Sequence, residues 1–207
     1  MHISEADALF GQNFIGPRQV GKLLSAMGMP TLEPDCIPPI EFPDDVLESR
    51  CRDFLLVLGY PGRPDSPLDI LSFRKVFGVD PDKSEPCLYN QDWYLKEDFV
   101  RRVPASRWYL LRKNVLENTR SVSPENLLGT DLAFPPAVLC VYTFFAYFLA
   151  CGQYLWYHDF VWCSDTDHNG DRIYVGKYHD IDGVNKNGFS IHRHLALRPC
   201  YASIDFL

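Results

Sequence analysis

The chain has 207 residues, of which 46% are hydrophobic and 23% are charged, a composition that excludes a disordered protein and suits one hydrophobic core. Its formal net charge of −7 argues against a protein that binds nucleic acid by neutralising phosphates, which needs clustered Lys and Arg. We therefore predict a single α+β domain over residues 1–207.

The first half of the chain carries the whole acidic excess. Residues 1–100 contain 17 Asp and Glu but 9 Lys and Arg, whereas residues 101–207 contain 10 and 11. Such an excess indicates either a solvated acidic face or a surface that binds a basic protein partner.

The first 45 residues have a pattern of their own. Residues 3–29 have helical apolar spacing, and residues 30–45 contain five prolines. These two patterns predict a helical arm followed by an extended connection.

The cysteines and the N-terminal residues favour a reducing compartment. Seven cysteines are an odd number, and no two of them form a C-x-x-C pair, so a complete disulfide framework and the common zinc-ribbon spacings are excluded. The residues after Met1 lack the basic and apolar regions of a secretion signal. We expect a cytoplasmic location.

Two apolar runs predict buried elements. Residues 54–59, FLLVLG, are typical of a central strand. Residues 137–152 carry no charge and follow Pro135 and Pro136, which suits the start of a core helix. A membrane span is the alternative, but the run is short for a bilayer and has no flanking Lys or Arg cluster.

The last 50 residues change to a β pattern, with strands predicted at 160–163, 172–178 and 189–197. The Asn169-Gly170 pair between the first two is typical of a hairpin turn. We therefore expect a helical N-terminal two-thirds with a few strands, and antiparallel β hairpins in the C-terminal third.

An oxygen-rich segment lies at this turn. Asp165, Asp167 and Asn169, followed by Gly170 and Asp171, match the opening of a calcium loop, in which positions 1, 3 and 5 supply ligands. The match ends there, because position 12 is a glycine rather than glutamate. A plain hairpin turn explains the same residues equally well.

Histidines supply a second candidate metal site. On a strand, His192 and His194 would share one face and could chelate a transition metal together with His179 from the preceding strand. The alternation of Phe189 and Ile191 with these histidines also allows them to face solvent without a ligand.

Aromatic residues outline a candidate binding surface: Tyr89, Trp93, Tyr94 and Trp108. Such side chains line pockets and anchor protein partners, although they are more often core residues. Since no complete catalytic motif occurs, the leading hypothesis is a non-enzymatic binding or interaction protein that regulates or inhibits another macromolecule. The alternative is a metal-dependent hydrolase that uses the C-terminal His and Asp residues. No cofactor is expected, with a divalent metal as the alternative, and direct contact with nucleic acid or membrane is disfavoured.

Overall fold

Helices and strands alternate along the whole chain. The computed structural model describes residues 1–80, 82, 85–128, 130, 132–177, 188–193 and 197–207. In these ranges the helices are α1 (Ile3–Phe10), α2 (Pro17–Ala26), α3 (Asp44–Arg50), α4 (Ile70–Phe77), α5 (Pro124–Leu128) and α6 (Ala137–Cys151). The strands are β1 (Phe14–Ile15), β2 (Phe54–Leu58), β3 (Gly62–Arg63), β4 (Ser66–Pro67), β5 (Trp108–Arg112), β6 (Phe160–Thr166), β7 (Arg172–Lys177), β8 (Phe189–Arg193) and β9 (Tyr201–Ala202).

The predicted strand at residues 54–59 is the centre of a three-stranded sheet. β2 pairs in parallel with β1 and antiparallel with β5, and all five of its residues are buried. A strand buried on both faces needs apolar residues at every position, which explains the unbroken run FLLVL. β3 and β4 form a separate two-stranded ribbon.

Helix α6 is the predicted apolar helix, and it lies in the protein core. Its first eleven residues are buried, and it packs against α2 and β1 as well as β6 and β7. The Tyr142 hydroxyl donates a hydrogen bond to the Leu58 carbonyl at 2.8 Å. Gly152 ends the helix in the left-handed conformation, with φ of 72°. Within the described ranges, no helix combines the length and the apolar character that crossing a bilayer requires.

A four-stranded sheet in the order β8-β7-β6-β9 follows α6. One face contributes Val161, Ile173 and Ile191 to the main core around α6. The opposite face carries a smaller aromatic core that includes Phe160, Trp162, Tyr174 and Tyr201. Because successive side chains of a strand point to opposite faces, and residues of both faces are apolar, the sheet packs against a core on each side.

This topology corrects the predicted distribution of helices and strands. Strands β1 to β5 all precede residue 113, so the first two-thirds of the chain are not mainly helical. The C-terminal sheet is also more than hairpins, because β9 pairs in parallel with β6. The mixed α+β character holds, but several strands have only two residues. Their formation depends on tertiary partners rather than on a local pattern.

The N-terminal 45 residues pack against this body. Ala6 of α1 and Leu23 and Leu24 of α2 lie in the main core. The proline-rich connection contains one 3₁₀ turn, at Pro34–Cys36. The Trp108 indole N–H donates a 2.9 Å hydrogen bond to the Pro38 carbonyl of this connection.

Candidate functional site

Three side chains bring metal-ligand atoms together at the turn between β6 and β7. One carboxylate oxygen each of Glu97 and Asp167 and one ring nitrogen of His168 all lie within 4.8 Å of one another. Asp167 and His168 belong to the turn, whereas Glu97 joins two 3₁₀ turns at Trp93–Lys96 and Asp98–Arg101. We call these three residues the acidic cluster. Its chemistry depends on the partners of each side chain.

Glu97 holds His168 with both of its oxygens. Oε2 accepts the backbone N–H of His168 at 2.9 Å, and Oε1 lies 2.6 Å from the imidazole Nδ1. The Glu97 side chain is buried while the His168 ring is exposed. A buried carboxylate therefore fixes the ring and determines which nitrogen it presents to solvent.

Asp167 has three partners of its own. Oδ1 accepts the amides of Asn169 and Asp171 at 2.9 Å each, and Oδ2 pairs with the Arg193 guanidinium at 2.7 Å. Burial raises the pKa of Asp167, but Arg193 and these amides outweigh burial and hold it below its usual range. These contacts make Asp167 the organiser of the turn, in which Gly170 has φ of 87°.

Arg193 places a fixed positive charge against the acidic cluster. Its guanidinium is 3.9 Å from Glu97 Oε1, in addition to its bond with Asp167, and it lies over the Trp93 ring at 4.7 Å. A metal ion between the two carboxylates would have to share them with this guanidinium. The electrostatics therefore oppose cation binding even though the ligand atoms converge.

Two other predicted metal ligands, Asp165 and His192, have different partners. Asp165 accepts the Ala137 amide at the start of α6 and pairs with Arg102. The Nδ1 of His192 lies 3.1 Å from the Gln91 amide nitrogen, and its ring stacks on Tyr174. Among the predicted ligands that the structure describes, Asp167 alone belongs to the acidic cluster. His179 and His194 lie outside the described residues.

The predicted aromatic binding residues make contacts within the chain. Tyr94 and Trp108 are buried, and the Tyr94 hydroxyl lies 2.9 Å from an Arg74 guanidinium nitrogen. Trp93 donates to the Ile191 carbonyl at 3.1 Å. Tyr89 is half-buried beside the ring of His192.

A further candidate site, missed at the level of the sequence, lies between α6 and β6. We call residues 153–159 the tyrosine loop. Its backbone is strained, because Trp156 and His158 have φ of 49° and 70°, values that residues other than glycine seldom adopt. Backbone strain of this kind concentrates at functional sites, where the surrounding structure maintains it.

Two tyrosines of this loop are exposed and nearly parallel. Tyr154 is 38% exposed and Tyr157 is 45% exposed, and their ring centroids are 5.7 Å apart at an interplanar angle of 22°. The Lys177 ammonium lies 4.9 Å from the Tyr154 ring centroid and 5.9 Å from that of Tyr157. Lys177 also forms a buried ion pair with Glu85, which fixes its position beside the rings.

The tyrosine loop lines a cavity of about 170 Å³. Its polar lining includes Lys113, Asn114 and Asp159. Trp156, also in the lining, is buried, and its indole Nε1 has no hydrogen-bond partner among the described residues. Little in the sequence indicates this site, since residues 153–157 continue the uncharged run of α6.

Comparison of this chain with protein-family models, with curated proteins and with solved structures returned no match.

Proposed function

We propose that this chain is a non-catalytic binding protein whose ligand site is the tyrosine loop and its cavity. The observation that carries the proposal is the exposed pair of nearly parallel rings, Tyr154 and Tyr157, that lines a polar cavity. Exposed aromatic rings keep apolar area in water, and binding a ligand would remove that area from water.

The contacts behind the rings support this proposal. Tyr154 packs on Phe148 of α6 at a centroid distance of 4.9 Å, and Lys177 lies over both tyrosines. A site whose side chains are already fixed loses less conformational entropy when it binds. The tyrosine loop is therefore preorganised for a ligand.

We expect small probes to bind at this loop and to lose affinity when the rings are removed. Suitable probes are methyl glycosides, nucleosides and N-acetyl amino-acid amides, detected by saturation-transfer difference NMR. The double variant Tyr154→Ala/Tyr157→Ala should lose the signal of each binding probe, because truncating a central aromatic anchor costs more than about 1 kcal/mol of binding free energy.

Val76→Ala is the matched control, since Val76 is an exposed apolar residue on α4, outside the loop. It should leave every signal unchanged. Equal signals from the wild type and the double variant, or no signal from any probe class, would contradict the proposal.

A metal-dependent hydrolase is the second candidate, favoured by the convergence of Glu97, Asp167 and His168. Because Arg193 already occupies the space beside both carboxylates with a positive charge, we expect Zn²⁺, Mn²⁺ and Ca²⁺ in molar excess to leave the Tm unchanged. A rise in Tm that His168→Ala abolishes, and that His2→Ala preserves, would instead assign the cluster to a metal. His2 is a suitable control because its side chain is exposed in the N-terminal region.

We also propose that the acidic first half of the chain binds a protein partner. The segment 33–48 contains no Lys or Arg, and its six Asp and Glu residues are all exposed. This distribution supports contact with a basic partner surface. Salt would weaken such a contact, because exposed charges are screened.

A further inference from the structure

We infer that the ligand of the tyrosine loop is a neutral carbohydrate. This inference rests on the proposed function and specifies its ligand class. It follows from the mixture of donors and acceptors in the cavity, from the partners that its charged groups already have, and from the two exposed rings beside them.

The polar groups of the cavity suit hydroxyl groups. A hydroxyl both donates and accepts hydrogen bonds, so a sugar needs both kinds of partner close together. Lys113 is a donor, Asp159 is an acceptor, and the Asn114 amide is both.

Both charged groups of the lining already have partners within the chain, which disfavours a strongly ionic ligand. Asp159 is paired with Arg120 at 2.6 Å. The Lys113 ammonium lies 3.4 Å from the Asn13 side-chain oxygen and over the Tyr147 ring at 5.1 Å.

The tyrosine rings suit the apolar face of a sugar ring, whose C–H groups can pack flat on an aromatic surface. Burial, helped by a hydrogen bond to the Glu85 carboxylate, raises the pKa of Tyr154 to about 12. Because this hydroxyl already has the Glu85 carboxylate as its partner, Tyr154 offers a ligand its ring rather than its hydroxyl.

Isothermal titration of the full chain tests this inference. The probes are the methyl glycosides of glucose, galactose, mannose and N-acetylglucosamine, with adenosine, AMP and N-acetyltryptophanamide as the competing classes. We expect at least one glycoside to bind more tightly than every competing probe. Tyr157→Ala should weaken that binding about tenfold or more, whereas Tyr157→Phe, which keeps the ring, should stay within about threefold of the wild type.

Asn114→Ala gives an independent check, because Asn114 is exposed and its truncation is expected to leave the fold intact. We expect this variant to weaken glycoside binding with an unchanged Tm. Binding of adenosine or N-acetyltryptophanamide at the loop without any glycoside would overturn the carbohydrate inference and leave the proposed function standing. The absence of binding by every probe would overturn both.

Discussion

Replacing Lys177 by methionine is expected to lower the free energy of unfolding by about 3–5 kcal/mol, because it leaves a buried carboxylate without its counter-ion. Lys177 and Glu85 are 6% and 7% exposed, and their charged groups are in direct contact. The same Glu85 oxygen also accepts the Gly188 amide at 2.9 Å. Urea unfolding of the wild type and of Lys177→Met measures the change.

A double variant separates the cost of an unpaired charge from the value of the pair. Lys177→Met combined with Glu85→Gln removes both charges, so its loss should be clearly smaller than the sum of the two single losses. The exposed pair of Glu117 and Arg120 is the control, and Glu117→Gln should cost less than about 1 kcal/mol. If Lys177→Met costs no more than this control, the buried-pair account is wrong.

Asp165→Ala is expected to lower the free energy of unfolding by about 2–4 kcal/mol, because it leaves the first amide of α6 without an acceptor. Asp165 is 2% exposed, and its Oδ2 accepts the Ala137 amide at 2.6 Å. Pro136, the residue before the helix, contributes no side-chain cap. Asp165 therefore caps the central helix from a neighbouring strand, and its negative charge also suits the helix dipole.

Asp165→Asn is the matched control, since the amide oxygen can still accept the Ala137 N–H. At neutral pH, we expect Asp165→Asn to lower the free energy of unfolding by less than Asp165→Ala does, as measured by chemical unfolding. A loss for Asp165→Asn as large as that for Asp165→Ala would contradict the capping account.

The contribution of the Asp165 carboxyl group to the free energy of unfolding should fall as the pH rises. Burial raises the pKa of Asp165 above its ordinary value despite the Ala137 amide and Arg102. A raised carboxyl pKa in the folded state adds stability that is fully present below the unfolded pKa and is lost as pH rises through the folded pKa. The stability of the wild type relative to Asp165→Asn should therefore be greatest in acid.

The long buried elements were predictable because their patterns are local. The uncharged run after Pro136 predicted a core helix, and the structure has α6 from Ala137 to Cys151. The run at 54–59 predicted the central strand β2. The two-residue strands β1 and β9 were not predictable, since their pairing partners lie more than 40 residues away in sequence.

The candidate sites were predictable only in part, for a similar reason. The spacing around the β6–β7 turn singled out Asp167, but its companion Glu97 lies 70 residues earlier in a 3₁₀ turn with no distinguishing pattern. Residues 153–157 of the tyrosine loop continue the uncharged run of α6 in the sequence, so no local pattern separates the loop from the helix. Positive φ at Trp156 was also not predictable, because tryptophan seldom adopts that conformation.

The indole N–H resonances provide the most direct test of the tyrosine loop as a carbohydrate site. The chain has four tryptophans, and the indoles of Trp93 and Trp108 donate to backbone carbonyls, which makes them internal references. In ¹⁵N-labelled protein titrated with the four methyl glycosides, the Trp156 resonance, assigned with Trp156→Phe, should shift and saturate while those references stay in place. A Trp156 resonance that stays fixed with every glycoside, or that moves no more than the references, would contradict the account.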